Sequence, residues 1–278
     1  IAALGASASG KNAPRSTNKR LAQHLGISNL LADDTASSEG LEDALFHRKV
    51  MLLQNDEFHH LLIAAKSKNE TRFGRMMSLF KRLYSESGDV YNCRPLARET
   101  EVRTIDSPSL TIFATSIPKP FYSALDASTL SDGTMSRFIV IEGAPIHRDE
   151  TGGLVFADKR KDFSEEIMEA AKFWVEFNPG GSMNAMFPKP QIVEHTPQAK
   201  LMVQEGWGKM AKKYNSSLDI GDDEANSIWG RGMETTNKWA LTRACSRDYR
   251  NLIITDEDVY AGLRLANHQI ERGFFTSG

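Results

Sequence analysis

The chain has 278 residues, of which 40% are hydrophobic and 25% are charged, and its formal net charge is −2. This is the composition of an ordinary globular protein, with enough chain for one large domain or a core plus a smaller domain. No apolar run approaches membrane-spanning length, so we expect no membrane partner, and the charge excludes a uniformly basic nucleic-acid binder. The two cysteines, Cys93 and Cys245, are far apart in sequence, which favours a reducing, cytoplasmic compartment.

The first twelve residues follow the pattern of a phosphate-binding loop. An apolar run at 1–4 is followed by Gly5-Ala6-Ser7-Ala8-Ser9-Gly10-Lys11-Asn12. Small residues let the backbone N–H groups surround a phosphate, while Lys11 and the positive end of the next helix add charge. The last position usually holds Ser or Thr, whose hydroxyl binds Mg²⁺, and the amide oxygen of Asn12 is a poorer ligand. We therefore expect ATP and Mg²⁺ here, and the alternative is a glycine-serine loop with a chance lysine.

Short apolar runs and helical patterns alternate along the first half of the chain. The predicted strands lie at 1–4, 27–32, 50–53, 110–114 and 138–141, and the predicted helices lie between Pro14 and Gly26, after the capping residues 35–38, and at 58–84 and 121–130. A hairpin is predicted at 89–104. The alternation predicts an α/β fold with a mainly parallel sheet, and the glycine-rich loop at its start is typical of the P-loop NTPase type (AAA+ or RecA-like). Such a sheet binds its ligand at the carboxyl ends of the strands.

Two acids follow the strand at 50–53. A phosphate-binding loop needs an acidic site on a neighbouring strand, where an Asp holds Mg²⁺ and a Glu polarises the attacking water. Asp56 and Glu57 fit these roles, and the alternative is a solvated acidic turn after a buried strand. The neighbouring His59 and His60 are better explained as the start of a surface helix than as a metal site.

Polar residues at the end of the strand at 110–114 are candidates for sensing the terminal phosphate. Thr115 and Ser116 lie there, and the alternative is a turn leading into the next proline.

Two arginines are candidates for contacts with the nucleotide. Arg137 precedes the strand at 138–141, and in ring ATPases an arginine at this point reaches the nucleotide of a neighbouring subunit. Pairing with the nearby Asp132 is the alternative. Arg231 stands near the start of a predicted helix, where it either folds back onto the phosphates as a lid residue or remains in solvent.

The stretch at 58–84 is the most basic part of the chain, with six lysines and arginines and one acid. Together with the hairpin at 89–104, it is a candidate path for single-stranded DNA, because lysine and arginine bind phosphates. The alternative is a solvated helical face. The candidate nucleic-acid residues are Lys66, Lys68, Arg94, Arg98 and Arg103.

The composition changes after Pro145, and the remainder of the chain is mostly helical. We therefore predict an ATPase core at 1–145 and a helical lid domain at 146–278. Helices are predicted at 163–177, at 197–214 and, as one helix or two, at 222–247. A short strand is predicted at 191–193. Thr255 with Asp258 has the spacing of a capping box that opens a last helix.

These segments together resemble a family of P-loop ATPases from phages, prophages and plasmids that is related to replicative helicases. The resemblance rests on GASASGKNAP at 5–14, LLQNDEF at 52–58, SPSLTIFATSIP at 107–118, GTMSRFIVIE at 133–142 and GRGMETTNKWALTRA at 230–244. It implies ATP hydrolysis in a hexameric ring that acts on DNA during replication of a mobile element. It also implies a primase-like domain upstream, and the cytoplasm of a bacterium or of a phage-infected host cell.

Two other functions remain open at this level. A nucleotide-dependent switch or assembly module that hydrolyses ATP weakly is favoured by Asn12 and by the absence of a basic surplus. A small-molecule kinase is the third possibility, although no pocket for a phosphate acceptor is recognisable in the sequence.

Overall fold

The computed structural model describes residues 1–7, 9–35, 37–67, 71–95, 102–126, 129, 132–144, 163–177 and 190–276, with the side chains of 273–276 left out. The chain forms two compact units, one of Ile1–Pro120 with Ile141–Pro190 and one of Phe121–Val140 with Gln191–Gly278. This division differs from the predicted boundary at 145, because the segment Phe121–Val140 packs with the C-terminal helices. The side-chain amide of Gln269 forms hydrogen bonds with both the N–H and the carbonyl of Val140, at 2.8 and 2.9 Å.

The first unit is built on a five-stranded sheet with the strand order β2-β3-β6-β1-β7. The strands are β1 (Ala2–Leu4), β2 (Leu31–Ala32), β3 (Val50–Asn55), β6 (Ser109–Ser116) and β7 (Val140–Glu142), and a separate antiparallel hairpin is formed by β4 (Val90–Asn92) and β5 (Thr104–Asp106). The pairings of β2 with β3, β3 with β6, and β6 with β1 are all parallel. The α/β class with a parallel sheet is therefore confirmed, and this architecture is compatible with a Rossmann-like or P-loop-like fold.

Helices α1 to α6 lie between or after these strands in the sequence. They are α1 (Ala13–His24), α2 (Ser38–Arg48), α3 (His59–Lys66), α4 (Thr71–Ser85), α5 (Pro118–Ser123) and α6 (Glu165–Glu176). Local sequence explains their ends. The Ser37 hydroxyl accepts a hydrogen bond from the Gly40 N–H at 3.1 Å as the N-cap of α2. Gly26, with φ 70°, follows the end of α1 in the left-handed region that glycine favours.

Several predicted elements differ from the observed ones. The apolar run at 27–32 forms a 3₁₀ turn at Ser28–Leu30 and only a two-residue strand, because Ile27 and Leu30 pack with Ala22 of α1 as a small core cluster. The basic stretch at 58–84 contains two helices, α3 and α4, instead of one. The helix predicted at 121–130 overlaps α5, which ends at Ser123, and residues 127, 128 and 130 lie outside the described residues. The strand predicted at 191–193 is absent from the described residues 190–195 apart from an isolated bridge between His195 and Ile254.

The second unit contains three long helices, α7 (Pro197–Asp219), α8 (Asp223–Arg247) and α9 (Asp256–Thr276). The region predicted at 222–247 is a single helix. Two apolar clusters join the three helices, one around Ala240 and Val259 and the other around Met210, Met233 and Ile270. One of the two bonds of the predicted capping box forms at the start of the last helix, since Asp258 accepts a hydrogen bond from the Thr255 N–H at 3.0 Å. The Thr255 hydroxyl donates to the same carboxylate at 2.9 Å.

None of the helices in the described ranges combines the length and the apolar character needed to span a bilayer.

Candidate functional site

The glycine-rich loop joins β1 to α1 at the carboxyl edge of the sheet. Gly5 continues from β1, and its N–H donates to the carbonyl of Ser116 at the end of β6, at 3.1 Å. A Cβ at Gly5 would lie 2.6 Å from the hydroxyl of Ser9, so a larger residue there would require the Ser9 side chain to rotate. Gly10 has φ 81°, and its carbonyl accepts from the N–H of Ala13, the first residue of α1, at 2.8 Å. Ala8 lies outside the described residues.

The acids at the end of β3 lie at the same edge. Asp56 Oδ1 accepts hydrogen bonds from the Thr115 hydroxyl at 2.6 Å and from the Glu57 N–H at 3.0 Å. Asp56 Oδ2 lies 2.8 Å from Nη1 of Arg15, which is in the first turn of α1. Burial alone would raise the pKa of Asp56, but the Thr115 hydrogen bond and the Arg15 charge outweigh it, and the pKa lies below its usual value. Asp56 is therefore held as a carboxylate.

Glu57 adopts a left-handed backbone conformation, with φ 51°. This conformation costs an ordinary L-residue roughly 1 kcal/mol or more, and such strain clusters at functional sites. Its side chain lies between two cations or potential cations, with Oε1 4.0 Å from Lys11 Nζ and Oε2 3.1 Å from His60 Nε2. The next residue, Phe58, donates its N–H to the Thr115 carbonyl at 3.0 Å, which ties the acidic turn to β6.

Ser116 is buried beside this turn and has a partner that the sequence did not indicate. Nδ1 of the buried His59 lies 2.8 Å from the Ser116 hydroxyl. Burial lowers the pKa of His59, and the neighbouring His60 and Lys11 lower it further against the opposing effect of Glu57. His59 is therefore neutral near pH 7. The prediction of a helix start is confirmed, since α3 begins at His59, but His59 is buried and only His60 is exposed at the surface.

The side chains of Glu57, His59 and His60 bring three potential metal-ligand atoms within 4.8 Å of one another. Two of these groups already have partners, because His59 bonds to Ser116 and His60 to Glu57. The three side chains therefore line the site as a hydrogen-bonded group.

Gln54 of β3 and Asn18 of α1 connect these two elements, a role that the sequence did not indicate. Gln54 is fully buried in β3, and its amide accepts from Asn18 Nδ2 at 3.0 Å and donates to the Arg15 carbonyl at 3.4 Å. This bonding explains a polar residue in a core strand. It also fixes the helix so that the guanidinium of Arg15 reaches Asp56. The signal available in the sequence was the presence of a glutamine directly after the apolar run of this strand.

The donor set of this edge fits a magnesium–triphosphate group. Lys11 and Arg15 provide cations beside the loop of small residues that precedes α1. Two buried polar atoms, Arg15 Nε and Asn55 Oδ1, have no hydrogen-bond partner among the described residues. An arrangement of this kind can hold a polyanion and orient a water molecule next to a carboxylate.

The two arginines considered for the nucleotide lie in the second unit, where both line one cavity of about 510 Å³. Arg137 Nη1 donates to the Gly133 carbonyl at 2.6 Å. Arg231 Nη1 lies 2.7 Å from Glu234, which also pairs with Lys238 at 3.0 Å. Arg137 and Arg231 are therefore neighbours of one another, and their roles toward a nucleotide stay predictions.

The candidate nucleic-acid residues of the hairpin have acidic partners on α2. Arg94 lies 2.7 Å from Glu39, and Arg103 lies 2.8 Å from Asp43 and stacks over the ring of Phe46. These contacts fasten the hairpin to α2. Lys66 ends α3, and Lys68 and Arg98 lie outside the described residues. Contact of these five residues with DNA stays a prediction.

The fold and site define the chain as an α/β protein with a cationic loop and an acidic turn at one edge of a parallel sheet. No protein-family model matches the chain, and no curated protein matches it at a significant level. The helicase-related family therefore stays a resemblance, and any more specific assignment depends on the chemistry of the site.

Proposed function

We propose that the protein is an ATP-hydrolysing motor that acts on single-stranded DNA, with the glycine-rich loop 5–12 as its phosphate site. The observation that carries the proposal is the convergence of Lys11, Asp56, Glu57 and Thr115 at the carboxyl edge of one parallel sheet. Three segments distant in sequence supply the lysine, the two acids and the hydroxyl, with Lys11 Nζ 4.0 Å from Glu57 and the Thr115 hydroxyl bonded to Asp56 at 2.6 Å. A glycine-serine loop with a chance lysine would not be expected to lie beside two acids and a hydroxyl.

Each residue has a role that follows from its charge and contacts. Lys11 and backbone N–H groups of the loop 5–12 bind the terminal phosphates. Glu57 accepts a proton from the attacking water, because its carboxylate projects from the strained turn beside Lys11. Thr115 or Ser116, at the end of β6, would sense the terminal phosphate. Asp56 and Asn12 would hold Mg²⁺, which when bound neutralises charge on the phosphate oxygens.

The test is the pair of variants Glu57→Gln and Lys11→Ala. Glu57→Gln removes the base but keeps the size of the side chain, so we expect ATP turnover to fall at least about 100-fold while ATP binding persists. Lys11→Ala should abolish ATP binding. Turnover is measured as phosphate release, and binding with a fluorescent ATP analogue.

Glu166→Gln is the matched control, because Glu166 is an exposed acid in the first turn of α6 in the same unit. Normal turnover in Glu57→Gln would contradict the mechanism.

A second function, a nucleotide-dependent switch with weak hydrolysis, is favoured by one specific contact. Arg15 occupies one oxygen of Asp56 at 2.8 Å, and Asn12 stands where a better Mg²⁺ ligand is usual. Both features reduce the attraction of the site for Mg²⁺. Slow hydrolysis that is not stimulated by single-stranded DNA, together with tight ATP binding, would favour the switch over the motor.

A further inference from the structure

A groove between α7 and α9 in the second unit carries cations that have no acidic partner among the described residues. Lys209 and Lys213 of α7 and Arg264 of α9 line this groove, whose volume is about 540 Å³. All three are exposed, and none forms an ion pair or side-chain hydrogen bond in the described part of the chain. One acid, Glu205, also lines the groove, which leaves an excess of two positive charges.

The same groove exposes an aromatic ring. Tyr260 precedes Arg264 by one turn of α9, so both lie on one face of the helix, and Tyr260 is 57% exposed. Trp229 of α8 lines the groove as well, together with the apolar side chain of Met210. Trp229 and Met210 also line the neighbouring cavity on the other side of α7, where Trp207 is 62% exposed.

The combination of unpaired cations and exposed aromatic rings has a specific binding chemistry. Lys209 and Lys213 are one helical turn apart and present two charges in a row, which suits successive phosphates of one strand. Aromatic rings stack on unpaired bases regardless of base type. An acidic protein partner would use the charges but would give no role to the exposed ring of Tyr260.

The basic residues of the first unit offer a contrast. Arg75, Arg82 and Arg94 also line one cavity, yet Arg75 and Arg94 face Glu39, and Arg82 donates to the Asn92 carbonyl. Because these contacts already use the guanidinium groups, a phosphate would have to displace them. The groove in the second unit requires no such displacement.

We propose that the groove between α7 and α9 binds single-stranded DNA, with Lys209, Lys213 and Arg264 on phosphates and Tyr260 stacked on a base. The inference deepens the proposed function and rests on it for the choice of DNA, since it names a surface that holds the strand. It uses no residue of the phosphate loop or the acidic turn, so binding and hydrolysis can be tested separately.

The first test reverses one charge in the groove and one beside it. Lys213→Glu and Lys212→Glu change the net charge equally on the same helix, but Lys212 does not line the groove. Binding of the full chain to a fluorescein-labelled oligo(dT) of about 20 nucleotides is followed by fluorescence anisotropy without ATP. We expect Lys213→Glu to raise Kd roughly tenfold at low salt and to reduce the salt slope by about 1, and Lys212→Glu to have little effect.

The second test separates stacking from charge. Tyr260→Ala should raise Kd for oligo(dT) roughly fivefold or more, while Tyr260→Phe, which keeps the ring, should bind as the unaltered protein does. Circular dichroism melts check that each variant remains folded. Equal effects of Lys213→Glu and Lys212→Glu, or equal effects of the two Tyr260 variants, would overturn the groove as the binding surface.

The outcomes also distinguish this inference from the proposed motor. ATP hydrolysis that depends on Glu57, with DNA binding that ignores the groove variants, overturns the groove and leaves the ATPase intact. DNA binding that depends on the groove in a protein without hydrolysis supports the groove and contradicts the motor. Hydrolysis without any DNA binding overturns both the groove and the DNA partner.

Discussion

Arg15 is the residue whose position most changes the chemistry of the site. It lies one turn after Lys11 on α1, and its guanidinium is 2.8 Å from the carboxylate that a magnesium ion would approach. Two cations compete for one carboxylate oxygen when both are near it, and the fixed arginine has no translational entropy to lose. In the proposed mechanism, the Arg15 contact would therefore raise the Mg²⁺ concentration that the site requires.

We predict that Arg15→Met lowers the Mg²⁺ concentration at half-maximal ATP turnover by roughly three- to tenfold, because Asp56 loses its resident cation. Turnover is measured over a Mg²⁺ titration at constant ATP. Lys19→Met is the control. It removes the same charge from the next turn of α1, but Lys19 pairs with Asp33 and not with Asp56. An unchanged Mg²⁺ requirement, or one that rises, would show that Arg15 does not compete with the ion.

At the scale of elements, the start of α9 depends on one buried carboxylate. Asp258 has no exposed side-chain surface, and it bonds to Arg243 at 2.5 Å, to Arg247 at 3.0 Å and to Thr255. Burial alone would raise the pKa of Asp258, but the hydrogen bonds from Arg247 and Thr255 outweigh it and lower the pKa. Since α9 packs on both other long helices, this contact supports the whole second unit.

We predict that Asp258→Asn lowers the free energy of unfolding of the second unit by about 2 kcal/mol at pH 7, measured by urea denaturation. The stabilisation needs the ionised carboxylate, so it is complete above the ordinary Asp pKa of about 4 and is lost as the pH falls through the lower pKa of the folded state. The difference between the two proteins should therefore shrink below pH 4. Asp256→Asn, in the same first turn, is the control, and an equal effect there would contradict the explanation.

At the scale of the whole molecule, the predicted ring places Arg137 of one subunit at the nucleotide of the next. The structure puts Arg137 in the second unit beside a cavity that also contains Arg231, and the phosphate loop belongs to the first unit. A site shared between subunits would combine Lys11 from one chain with Arg137 from its neighbour.

We predict that Lys11→Ala and Arg137→Ala are each inactive alone and recover ATP turnover when mixed. In a random mixed ring, about a quarter of the interfaces pair an intact Lys11 with an intact Arg137 of the neighbour. Phosphate release by the mixture is compared with that of each variant at the same total concentration. A mixture that stays inactive after verified subunit exchange would show that Arg137 acts within its own chain or not at all.

Much of the fold was predictable because its signals are local. The alternation of apolar strands and helices gave the α/β class, and Ser37 and the Thr255–Asp258 pair marked helix starts through side-chain bonds to backbone three residues away. The elements that were predicted wrongly have no such local side-chain bond to indicate where they begin. The run at 27–32 is apolar enough for a strand, but its side chains pack against α1.

The amino-acid sequence by itself determined the glycine-rich loop, the acidic turn and the helix caps, because these depend on residue types at short spacing along the chain. Only the tertiary structure decided that Arg15 holds Asp56, that His59 bonds to Ser116, and that Phe121–Val140 packs with the C-terminal helices. The physical reason is strand order: β3 lies beside β6, and β6 beside β1. Side chains about 40 to 60 residues apart therefore meet at one edge of the sheet, and spacing along the chain carries no information about that meeting.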